Sequence, residues 1–92
     1  MTKKMRQTDR FPVGRLVISK QGRDKDRVYV VVKSDADYVY AADGVRWTAE
    51  APKKKNRKHL QPVNIMAAAE DMITPDNEAI IKVIEAFAGR DF

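Results

Sequence analysis

The sequence predicts a small, mainly β domain with a helical C-terminal extension. Three observations predict it. Residues 13–64 alternate short apolar or β-branched runs with glycine and aspartate turns, residues 65–92 switch to alanine-rich and helix-spaced apolar residues, and the 92-residue chain has no cysteine. A chain of this length buries roughly 60–70% of the surface its unfolded form exposes. That allows one modest core and little room for a deep active-site cleft.

Residues 1–12 read as a flexible basic arm, with Lys3, Lys4, Arg6 and Arg10, and Pro12 stops any helix before it. The first strand covers 14–19, with Leu16 and Ile18 on one face and Arg15, Val17 and Ser19 on the other. Gln21-Gly22 supplies a turn with Gly22 at positive φ. The second strand, 27–33, is apolar on both faces, as expected of a bent strand serving two sides of a small barrel. Residues 34–37 turn, and a third strand follows over 38–42. Asp43-Gly44 is a hairpin signal, which predicts a fourth strand over 45–48. Residues 49–58 then form a basic loop, and a short fifth strand covers 59–61. Beyond it, the alanine-rich 65–72 predicts a helix with Asn64 as N-cap. Thr74-Pro75 opens a second helix, Ile80, Val83, Ile84 and Phe87 form its apolar stripe, and Gly89 ends it.

The net charge of +5 conceals a division. Residues 1–64 carry 16 Lys/Arg against 7 Asp/Glu, a balance of +9; residues 65–92 carry 2 against 6, a balance of −4. A basic β part points to an anionic partner. With no cysteine and no apolar leader at the N-terminus, the cytoplasm is the expected compartment. With no apolar run of about 18 residues, no membrane span is expected.

The stretch Gly14-Arg15-Leu16-Val17-Ile18-Ser19-Lys20-Gln21-Gly22-Arg23-Asp24-Lys25, followed by Val28–Val32, resembles a KOW motif. Tyr38-Val39-Tyr40-Ala41-Ala42-Asp43-Gly44 and Pro52-Lys53-Lys54-Lys55-Asn56-Arg57-Lys58-His59-Leu60 are similar to a narrower group. That group is the small bacterial KOW-domain RNA-binding proteins, akin to a KOW-type large-subunit ribosomal protein of archaea and eukaryotes. The resemblance covers about 14–63. It implies an SH3-like five-stranded barrel over 13–64 that binds structured RNA, with ribosomal RNA of the large subunit as the implied target. One departure stands out: Asp26 occupies a position where the family often has glycine. Aspartate tolerates the left-handed region better than most residues, so the turn can survive.

Candidate contacts follow from charge and exposure. Lys53, Lys54, Lys55, Arg57 and Lys58 pack five cations into six residues, a density that phosphate backbones reward through counterion release. The competing reading is a solvated linker. Arg23, Lys25 and Arg27 flank a glycine turn able to cradle a phosphate; Asp24 and Asp26 offset them, and a self-compensating surface turn is the alternative. Tyr38 and Tyr40 share one side of their strand with Trp47 expected nearby, placed either to stack on bases or to fill the core. His59 stands alone without cysteine partners, so neither a metal site nor a cofactor is expected. No nucleophile–base pair is visible, and the Asp24/Asp26 and Asp35/Asp37 pairs fit turn chemistry, so no enzyme activity is expected. The expectation is a non-catalytic RNA-binding protein, with the C-terminal helix packed on the barrel or docked to another protein. The alternative is a protein-interaction module whose aromatics and basic loop meet an acidic or peptide partner.

Overall fold

The computed structural model describes residues 10–67 and 76–88. The protein is mainly β: five antiparallel strands and one C-terminal helix. The strands are β1 (Arg15–Ser19), β2 (Val28–Ser34), β3 (Tyr38–Ala42), β4 (Lys53–Asn56) and β5 (Leu60–Met66), in the sheet order β4-β3-β2-β1-β5. The hydrogen-bonded ladder is therefore open, with β4 and β5 as its margins. A single 3₁₀ turn, Arg57–His59, joins the two.

The tight turns are set by backbone chemistry. Between β1 and β2, Gly22 sits at φ +89° and Asp26 at φ +74°, the only non-glycine positive φ among the described residues. The Asp26 N–H donates to Ser19 O (2.8 Å), closing the turn. Aspartate thus fills the left-handed position expected of it. Between β2 and β3, Asp35 Oδ1 accepts from the N–H groups of Asp37 (3.0 Å) and Tyr38 (2.8 Å).

Each face of the sheet carries its own buried cluster. On one face Val17, Tyr29, Val31, Val39, Ala41 and Leu60 pack with Phe11, and Trp47 lies against them. On the other, Leu16, Val30 and Ala42 are covered by Ile80 of α1 (Asn77–Ala88), with Val83, Ile84 and Phe87 alongside. The predicted stripe is the packed face of the helix, so the two apolar sides of β2 meet two separate clusters.

Several expected elements are placed differently. Residues 45–48 form no strand. Asp43 Oδ1 accepts from the N–H groups of Val45 and Trp47 (both 2.9 Å), while the N–H groups of Asp43 and Gly44 both donate to Trp47 O. These bonds fold the segment on itself, and the partner of β3 becomes Lys53–Asn56, paired as Tyr38↔Asn56, Val39↔Lys55, Tyr40↔Lys54 and Ala41↔Lys53. The anticipated basic loop is therefore a strand followed by a 3₁₀ turn. The fifth strand is longer than expected: Ile65 and Met66 belong to β5 and Asn64 caps no helix, because Met66 pairs with Arg15 and the Ala67 N–H donates to Gly14 O. The remainder of that expected helix, Thr74-Pro75 and Gly89 lie outside the described residues, as does most of the N-terminal arm. The arm's last residues are not loose, since Phe11 is 3% exposed in the core. Gly44 (φ +84°) abuts α1 so closely that a Cβ there would lie 2.7 Å from Asn77 O and from Ile81.

Candidate nucleic-acid interface

The site is built on the alternation of β4. Cross-strand pairing sets Lys53 and Lys55 on the face of Ala41 and Val39, and Lys54 on the face of Tyr40. The lysine run is therefore divided between two sides of the sheet.

On the inner side stands Asp24, 7% exposed in the middle of the β1–β2 turn. Its carboxylate accepts from Ser19 Oγ (2.8 Å), Tyr29 OH (2.9 Å) and Lys55 Nζ (3.1 and 3.2 Å), and it pairs with Lys53 Nζ at 3.1 Å. Lys55 also donates to Ser19 Oγ (3.2 Å), and its side chain is only 10% exposed. Burial pushes the Asp24 carboxyl up, but the hydrogen bonds from Ser19, Lys55, Tyr29 and Lys53 outweigh it and hold the group well below the usual carboxylate range. Burial, and then the bond to Asp24, push the Tyr29 phenol well above its ordinary value. Asp24 is thus no surface-turn carboxylate, and the charge of Lys55 is spent inside the protein.

Next to this network lies a groove of about 240 Å³ lined by Arg23, Arg27, Arg46, Lys53, Tyr29, Trp47 and Asp24. Among the described residues no side-chain hydrogen bond or ion pair holds the guanidiniums of Arg23, Arg27 or Arg46. Lys53 bridges the network and the groove, with its ammonium 5.2 Å from the centre of the Trp47 ring. Four cations stand here against one carboxylate already shared with Lys55. Trp47 serves two purposes, packing on the core and walling the groove.

On the outer side, Tyr38, Tyr40, Lys54 and Lys33 form a second group. Lys54 Nζ lies 4.2 Å from the Tyr38 ring centre, and Lys33 Nζ 5.5 Å from that of Tyr40. The Tyr40 hydroxyl donates to Asp35 Oδ2 (3.4 Å). The N–H groups of Tyr38 and Asp37 hold Asp35 below the usual carboxylate range.

The structure therefore brings Arg23, Arg27 and Lys53 together on one side, and Tyr38, Tyr40 and Lys54 on the other. Arg57 is engaged elsewhere: it donates to Asp35 O and lies over the Phe11 ring at 4.9 Å. Lys25 and Lys58 are exposed in their turns, and Lys25 does not line the groove. His59 contributes its carbonyl to the Lys20 N–H (2.8 Å). Arg46 was not among the expected contacts. Its only sequence signal is its place between the Asp43-Gly44 turn and Trp47.

No protein-family model matches the chain, and no curated protein matches it in sequence. Among the described residues no helix is long and apolar enough to cross a membrane, and no three acidic or histidine side chains gather as a metal site would require.

Proposed function

We propose that the protein binds RNA without catalysis, through a KOW-type, SH3-like domain, and that its target is ribosomal RNA of the large subunit. The observation that carries this reading is the convergence of Arg23, Arg27, Arg46 and Lys53 on one groove. Guanidiniums without internal partners are suited to bidentate phosphate contacts. Such contacts position a polyanion without reading its sequence. The barrel reading is supported by the single 3₁₀ turn between β4 and β5, which holds the two margins of the sheet close in sequence. The KOW reading is supported by the two left-handed positions in the β1–β2 turn, Gly22 and Asp26.

Fluorescence anisotropy with labelled RNA across a salt series tests the proposal. With the four groove cations and the outer Lys33 and Lys54 engaged, log K should fall with log salt at a slope of about −4 for a single strand. Replacing Arg23, Arg27 and Arg46 by glutamine should flatten it. A flat response in the native protein would favour the module for an acidic protein partner. Crosslinking in cells, followed by sequencing of the attached RNA, identifies the target; recovery of ribosomal RNA from the large subunit is the expected result.

A further inference from the structure

We infer that the RNA taken by this protein is unpaired and turns around the β4 margin, with its backbone in the arginine groove and its bases on Tyr38 and Tyr40. This rests on the RNA-binding reading above and adds the class of RNA. Three observations carry it. First, β4 is a margin of the hydrogen-bonded ladder, so no further strand pairs along its outer edge. Adjacent lysines point opposite ways there, Lys53 toward the groove and Lys54 toward the tyrosines.

Second, α1 covers the outer face over Leu16, Val30 and Ala42 and leaves the Tyr38 end open. Tyr38 is 36% exposed, whereas Tyr29, on the inner face, is 1% exposed. Each outer tyrosine carries an exposed lysine over its ring. That combination serves a stacked base with a phosphate beside it, the ammonium passing from ring to phosphate. A duplex hides its base faces and presents only shape and backbone, so these rings can be used only by unpaired bases.

Third, the Asp35 carboxylate, in the β2–β3 turn, accepts from the Tyr38 N–H and the Tyr40 hydroxyl and is held ionised chiefly by backbone N–H groups. A phosphate is repelled from the β2–β3 turn and directed over Lys54 toward the margin. A rigid duplex cannot bend round the edge of one strand; a single strand can.

The test uses the full chain with a single-stranded RNA of about 12 nucleotides, within the range of single-strand site sizes, and the same sequence as a duplex at equal salt. The single strand should bind about tenfold more tightly or better. Joint replacement Tyr38→Leu and Tyr40→Leu should weaken it by about 30-fold or more, with the salt slope and duplex affinity unchanged. Tyr38→Phe with Tyr40→Phe retains both rings and should retain affinity even if the leucine variant folds poorly. In the native protein, photocrosslinks from 4-thiouridine RNA should fall on Tyr38 or Tyr40. Equal affinity for both RNA forms, or crosslinks confined to the groove, overturns the inference and leaves the RNA-binding reading standing. Failure of both RNA forms to bind at low salt removes that reading as well.

Discussion

Lys54 and Lys55 are neighbours in the chain and identical in chemistry, yet the fold gives them opposite work. Lys55 faces inward, where it bonds a serine and a nearly buried carboxylate that Tyr29 also holds. Lys54 faces outward, over an exposed ring. The difference comes from strand pleating alone. It teaches that a dense run of positive charge is not one binding surface. Part of the run is structural, part is free, and Lys53 is shared between an ion pair and a groove wall.

The comparison is broken most directly at Asp24. Asp24→Ala leaves Lys55 nearly buried and without its counter-charge and removes an acceptor from Ser19 and Tyr29. We expect a loss of about 3 kcal/mol in urea unfolding, the low end for unpairing a buried charge because the groove admits water beside Lys53. Next in size is the lysine pair. Lys55→Met should cost about 1–2 kcal/mol with little change in RNA affinity, since Lys53 still answers Asp24. Lys54→Met should leave stability within about 0.5 kcal/mol but weaken RNA binding. Equal effects of the two substitutions would erase the distinction between the faces.

The pH dependence sharpens the same contrast. Asp24 has a folded-state pKa below its ordinary value of 3.8, so its contribution is full above that value and is lost as the pH falls through the folded one. Tyr29 has a folded-state pKa above its ordinary value of 10.0, so its contribution is full below that value and is lost as the pH rises beyond it. Stability should therefore decline on both the acid and the alkaline side. Asp24→Asn should blunt both limbs, which unfolding midpoints across pH will show. The smallest effect is in salt dependence: removing one groove cation, as in Arg46→Gln, should reduce the slope by about 0.7.

Much of the fold was legible because apolar periodicity reports burial. β1, β2, β3 and the stripe of α1 all carry it, and the glycine and aspartate turns mark their joints. β4 was not legible. Its residues are three lysines and an asparagine, and their extended form depends on pairing with β3 and on a carboxylate about 30 positions earlier. Asp24 resembles any turn aspartate until its surroundings are known. The hint was Ser19, which shares the core face with Val17 and therefore needs a polar neighbour. Phe11 was hidden by the basic residues before it. Arg46 was hidden because residues 45–48 suggested a strand, whereas hydrogen bonds to Asp43 make a loop that delivers it to the groove.

The margins of the sheet have a consequence for crowded solutions. Exposed strand edges are templates on which further chains can add and polymerise. Here one edge strand carries the exposed Lys54 and the other contains Pro62, which has no N–H to offer an incoming strand. Two copies approaching along β4 bring their Lys54 ammoniums together, and the proline spoils the complementary seam. The exposed lysine of β4 and the proline of β5 thereby both work against growth of the sheet into fibres.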